Sequence, residues 1–258
     1  MTLEGALDDC SFDERALDDK ERILKRLIGT CSSFWLIKAL STSIGQKIVM
    51  AITGLALCGF LVAHLGGNLL LYIGAEHYNN YAHRLHSQEL LLLVAEIGLL
   101  VMFLLHIWLA LKTSSDNSAA RPTEYAMRQT KMEQGPLAAP ASATMLLTGV
   151  IVLVFLLVHL SDFRWFDLRH HVPADKAAPL PFAKTVMILK DPISALVYIV
   201  GSFALGYHVL HGFESAFQTL GFNHPKYTPT IKFLSLLFAL IVALGFGSFP
   251  FWAWAFQQ

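Results

Sequence analysis

Five stretches of this chain are long and predominantly apolar, near positions 46–74, 88–112, 141–164, 192–218 and 231–255. At about 1.5 Å per residue, each is long enough to cross a hydrocarbon layer of roughly 30 Å. Backbone in lipid must satisfy its own hydrogen bonds, so segments of this kind fold as helices. The sequence predicts an all-α membrane protein with five transmembrane helices, the first four forming a bundle. Composition agrees. Of 258 residues, 55% are hydrophobic and 15% charged, too apolar for an ordinary soluble domain of this size. The formal net charge is zero, so nothing points to a nucleic-acid partner.

Residues 1–45 read as a polar N-terminal segment and 46–258 as the transmembrane domain. Within the segment, Asp13 to Gly29 reads as a surface helix with Leu24, Leu27 and Ile28 on one side. Its start is acidic and polar, unlike the basic-then-apolar order of a secretory signal. Cys10, Cys31 and Cys58 show no metal-binding or redox spacing. Basic residues favour one side: the N-terminal segment, the second-to-third connection (Lys112, Arg121, Arg128, Lys131) and the fourth-to-fifth (Lys226, Lys232). Fewer lie on the other side: Arg84, Arg164, Arg169, Lys176, Lys184 and Lys190. The positive-inside rule then places the N-terminus in the cytoplasm and the C-terminus outside. The first connection, GAEHYNNYAHRLHS, is short and amphipathic and is expected along the outer interface. The third, Arg164 to Asp191, holds Pro173, Pro179 and Pro181 and reads as an irregular outer cap. No internal repeat and no low-complexity segment stands out.

Four of the five stretches carry a histidine about two thirds of the way along: His64, His106, His159 and His208, the last followed by His211. Consecutive spans run in opposite directions, so one repeated position becomes two depths. His64 and His159 fall toward the outer face, His106 and His208 toward the cytoplasm. The two layers are separated by roughly 15 Å of helical rise. Two imidazoles close both axial positions of a haem iron and favour electron transfer over gas binding. A polar ring in hydrocarbon is costly unless it has a partner, and a metal bond supplies one. The constellation therefore predicts two stacked bis-histidine haems of the b type. A lone membrane histidine is more often an interhelical hydrogen-bonder, but four at matched depth weigh toward haem. Zinc is the weaker rival, because ligands split across two layers cannot reach one ion with bonds of about 2 Å. His208 and His211 share a helix face, and spacing alone leaves open which of them meets the iron. Glycines flank the histidines (Gly54, Gly59, Gly66, Gly67, Gly149, Gly201, Gly206, Gly212). They suit a flat macrocycle or close helix contact equally well.

The blocks GFLVAHLGGNLLLYIGAEHYNNYAHRLHS, LLHIW, LLVHLSDF and GYHVLHGFESAFQTLG carry a resemblance. Across about residues 43–240 the chain resembles the cytochrome b membrane-anchor subunit of succinate dehydrogenases and fumarate reductases, of the single-subunit, five-helix, two-haem type. The resemblance implies axial ligands His64 with His159 and His106 with His208, while His211 falls at a position open to asparagine. It implies a flavoprotein and an iron–sulfur protein as partners, with electrons passing through the haems to a quinone, commonly menaquinone. It further implies respiratory complex II of the tricarboxylic acid cycle, in a bacterial cytoplasmic membrane. The chain has no flavin or iron–sulfur motif, so the succinate chemistry belongs to the partners. The long acidic N-terminal segment has no counterpart in the family, and a higher oligomer is left open.

Quinone chemistry needs donors to the carbonyl oxygens and an acid–base path to water. Glu96, a carboxylate within the second stretch on the outer side, is the candidate for that role. His83 and Arg84 in the first connection, beside Glu76 and His86, are candidates to hold haem propionates. Ser43, Gln46 and Lys47 are candidates on the cytoplasmic side for the partner subunits or a propionate. Other readings are a haem b subunit of another membrane dehydrogenase, a haem-free anchor, and a transporter with a histidine proton relay.

Overall fold

The computed structural model describes Lys38 and residues 41–120, 141–164 and 180–257. The expected helix over Asp13–Gly29 lies outside the described residues, as do much of the second-to-third and third-to-fourth connections. The chain divides into two compact units, Met1–Gln46 and Lys47–Gln258. Among the described residues there are helices and no strands.

Helix α1 runs from Ser43 to Asn68, and α2, Leu70–Ile73, prolongs it. Gly74 then turns the chain at φ +129°, a backbone conformation that suits glycine. Helix α3, Ala75–His86, follows, with no buried residue, in keeping with an interfacial element. Helix α4 spans Glu89–Ala119 and α5 spans Ala141–Phe163. Helix α6, Pro181–Lys190, leads into α7, Pro192–Thr219, and α8 covers Thr228–Phe256.

Five helical segments are long and apolar enough to cross a membrane: Ser43–Ile73, Glu89–Ala119, Thr144–Phe163, Pro192–Thr219 and Thr228–Phe256. The protein is an all-α, multi-pass membrane protein. Its outward faces suit lipid. On α4 the exposed side chains include Leu90, Leu93, Val94, Ile97, Leu100, Val101 and Leu104, a surface that water would not tolerate.

Two expectations need correction. The second span is expected at 88–112, but α4 continues through seven further residues, TSSDNSA being helical to Ala119. Lys112 pairs with Asp116 at 3.3 Å, one turn apart, so the helix outlasts its apolar run. Hydropathy marks the hydrocarbon crossing rather than the end of the hydrogen-bonded helix. The third-to-fourth connection is not irregular throughout either, because Pro181–Lys190 is helical. Pro181 opens α6 at a position where its missing N–H costs nothing. Asp191 then caps α7 by accepting from the Ser194 N–H at 2.8 Å, with Pro192 as the next residue.

Helices α7 and α8 pack most closely, followed by α5 against α7. A Cβ on Gly206 would meet the Ala243 Cβ at 2.7 Å, so glycine is what lets α7 and α8 approach. Ser235 of α8 also donates to the Leu210 carbonyl of α7. The buried apolar cluster Leu65, Leu71, Ile188, Leu189, Tyr198, Phe249 and Ala253 joins α1, α2, α6, α7 and α8 at the end of the bundle nearest α3. Helices α1 and α4 approach their neighbours far less closely, and the space between them is the site.

Candidate functional site

A cavity of about 2050 Å³, open on part of its surface, is lined by α1, α4, α5 and α7, with Phe246 and Phe249 of α8 and Thr185 and Leu189 of α6. Ligand pockets for one small molecule usually run to about 1,000 Å³ at most, so this space suits more than one large group. Its walls are mainly apolar. Into it come His64 from α1, His106 from α4, His159 from α5, and both His208 and His211 from α7.

The five imidazoles sort by contact. His64 and His159 face each other with ring centroids 5.8 Å apart and planes at 85°. Two metal–imidazole bonds of about 2 Å plus the inner half of each ring span roughly 6 Å, so this pair has room for one iron between its rings. His106 and His208 line the same cavity at a second level, His106 beside Thr53 of α1 and His208 beside Thr148 of α5. Thr53 and Gly54 on α1 stand level with His106, and His64 lies ten residues after Gly54. The two sets are thus about 15 Å apart along the helix.

Each histidine has its own surroundings. Thr53 Oγ1 lies 3.3 Å from His106 Nδ1, and Thr148 Oγ1 lies 3.1 Å from His208 Nδ1. Phe60 stacks on His64 at 5.2 Å, and Asn68 Nδ2 stands 3.5 Å from His64 Nδ1. Around His159, Tyr198 places its hydroxyl 3.4 Å from Nδ1 and donates to Asp162 Oδ2 at 3.0 Å. Asp162 is fully buried. His211 packs edge-on against Tyr207, and its Nε2 is buried without a hydrogen bond.

The chain matches no family model, no curated protein and no solved structure. Among the described residues, no group of three or more His, Cys, Asp or Glu is placed to share a metal ion. His64 and His159 face each other, and a pair is what a macrocycle that already fills four equatorial positions would require.

Of the other candidates, Glu96 lines the cavity and pairs with Arg164 at 3.5 Å, both side chains being substantially exposed. Lys47 also lines the cavity. His83 and Arg84 are exposed on α3 and do not line it, and the same holds for Glu76 and His86. His86 instead bonds the Ala82 carbonyl of its own helix at 2.8 Å. Ser43 is exposed, and Gln46 donates to the Ser41 carbonyl at 2.9 Å. Tyr78 of α3 does reach the site's edge, 3.5 Å from Asn68 Oδ1 and 3.4 Å from the Thr185 hydroxyl. Burial pushes its phenol up from the ordinary tyrosine range, which keeps it a hydrogen-bond donor at neutral pH.

The glycines divide by what they admit. A Cβ on Gly54 would lie 3.3 Å from His106 Cε1, and one on Gly149 would lie 3.5 Å from His208 Cε1. These two let an imidazole lie against a helix backbone. Gly201 is crossed by the Phe155 ring and Gly206 by α8, so those two serve packing.

Sequence reasoning passed over Thr53, Thr148, Tyr198 and Asp162. It also passed over a repeat. MAITGLALCGFLVAH in α1 and MLLTGVIVLVFLLVH in α5 share Met50/Met145, Thr53/Thr148, Gly54/Gly149, Phe60/Phe155, Leu61/Leu156 and His64/His159 in one register. Apolar filler masks it, and only the contacts of the threonines and glycines mark which matches count.

Proposed function

We propose that this chain is the membrane-anchor and electron-transfer subunit of a succinate:quinone oxidoreductase or fumarate reductase. It would carry electrons between an iron–sulfur subunit and a membrane quinone. The observation that carries the reading is a large cavity lined by histidines at two depths, His64 facing His159 at one and His106 with His208 at the other. These four would hold two b haems, and His211, with its free buried nitrogen, is the alternative to His208. Bound haem supplies a one-electron couple at each depth. The chain's own residues orient the imidazoles, keep water out with Phe60, Phe155, Phe163 and Phe246, and hold the helices apart by the width of the cavity. The resemblance of its sequence blocks to the anchor family points to a flavoprotein and an iron–sulfur protein as partners and to menaquinone as the quinone.

The Glu96–Arg164 pair at the cavity wall offers an acid–base group and a cation on the His64/His159 side, which favours quinone chemistry there. The loop charges favour a cytoplasmic N-terminus in a bacterial cytoplasmic membrane, with that side outermost.

A reduced-minus-oxidised spectrum of the purified chain, with a haem count by pyridine haemochromogen, tests the reading. Two b-type haems per chain are expected, together with co-purification of a flavoprotein and an iron–sulfur protein. A chain isolated from its native membrane with no haem would sink it.

A further inference from the structure

We propose that Thr53 and Thr148 are positioning residues that fix the tautomer of His106 and His208, presenting Nε2 of each ring to the iron. The proposal rests on the two-haem reading and says which residues aim one of its ligand pairs.

A threonine hydroxyl has one hydrogen to give. Thr53 Oγ1 lies 2.9 Å from the Val49 carbonyl and 3.0 Å from the Met50 carbonyl, both nearer than His106 Nδ1 at 3.3 Å. Thr148 Oγ1 lies 2.8 Å from the Thr144 carbonyl and 3.2 Å from that of Met145, with His208 Nδ1 at 3.1 Å. Each hydroxyl thus gives its hydrogen to its own helix, as threonines in helices do. The oxygen that faces the imidazole is left as an acceptor, so Nδ1 must carry the ring proton. A neutral imidazole protonated at Nδ1 has its lone pair on Nε2, the form a metal takes.

Register makes the arrangement a device rather than a coincidence. Both threonines are followed by a glycine against which the same ring lies, Gly54 under His106 and Gly149 under His208. Both Thr-Gly pairs sit at the same distance before the histidine of their own helix, His64 or His159. Each of α1 and α5 therefore provides one ligand to its own pair and the hydroxyl support for a ligand of the other pair. Donation from Nδ1 also raises the basicity of Nε2, which favours ferric over ferrous iron.

The test compares Thr53→Val, Thr148→Val, Thr53→Ser and Thr148→Ser in the full chain with its partner subunits. The valine variants should keep the His64/His159 haem unchanged. The midpoint of the His106/His208 haem should rise, by up to about a tenfold change in its ferric–ferrous equilibrium, or about 59 mV for one electron. Selective loss of that haem would equally support the proposal, and serine should restore it in either case. His106→Ala and His64→Ala spectra assign the two bands. Unchanged midpoints in both valine variants, a shift confined to the His64/His159 haem, or defects that serine fails to restore would overturn the proposal. The unsubstituted chain separates the two failures, because a chain without haem would refute the two-haem reading before any threonine variant was made.

Discussion

Around His106 and His208 the neighbouring helices offer threonine hydroxyls, each within hydrogen-bond distance of a carbonyl of its own helix. Around His64 and His159 stand an amide from the ligand's own helix, Asn68, and a phenol from a neighbouring one, Tyr198. The Asn68 amide gives its hydrogen to the His64 carbonyl at 2.8 Å and only grazes Nδ1, while the Tyr198 hydroxyl leans on the buried Asp162. One layer is set by symmetric short-range acceptors on paired helices. The other is set by ring stacking on one side and a carboxylate-backed hydrogen bond on the other. The two layers share a ligand type and differ in what aims it. Substitutions in one should leave the other intact.

The largest effect falls on the histidines themselves. His106→Ala or His208→Ala should each remove one of two haems and leave the spectrum of the other. His64→Ala or His159→Ala should remove the complementary one. His211→Ala should retain both, because Thr148 supports His208. A haem count on the five purified variants reads this directly. If His211→Ala lost a haem and His208→Ala kept two, the choice within YHVLHG would be reversed and the threonine symmetry broken with it.

Next in size is the hydrogen-bonded chain peculiar to the His159 side. Tyr198→Phe removes the hydroxyl that joins His159 to Asp162 and takes one partner from a fully buried carboxylate. Taking a hydrogen-bond partner from a buried polar group costs about 1–3 kcal/mol. The variant should melt earlier in detergent and hold the His64/His159 haem more weakly, with the His106/His208 band unmoved. A shift of both bands would mean that the layers are coupled through α7 rather than independent.

What the sequence disclosed follows from how the signals are written. Five spans and two histidine depths are legible because apolar length and antiparallel crossing are properties of single segments and their order. The extent of α4 was missed because its last turns are polar and held by Lys112 and Asp116. Pro181 misled because proline breaks a helix inside it but opens one at its first position. Asp162 was passed over for Glu96 because a carboxylate near a helix end reads as an interfacial charge. Only the packing of α5 on α7 places it beneath Tyr198, three residues beyond His159. Thr53 and Thr148 are ordinary residues in isolation. Their meaning lies in contacts with α4 and α7, which no periodicity reports.

The smallest effect probes how tightly the threonine-supported layer is built. Gly54→Ala would place a methyl 3.3 Å from His106 Cε1, tighter than ordinary contact, whereas Gly149→Ala would place one 3.5 Å from His208 Cε1, within it. Neither is a gross overpacking, which typically costs about 1–3 kcal/mol. Gly54→Ala should tilt His106 away from Thr53 and move the midpoint of that haem in the same direction as Thr53→Val, by less. Gly149→Ala should leave it nearly unchanged. Redox titration of the two variants side by side measures the difference. Equal shifts would mean that α1 and α5 yield alike, so that the ring position follows the helix backbone rather than the hydroxyl. A shift in Gly54→Ala alone would locate the control of His106 at the few tenths of an ångström between its ring and α1.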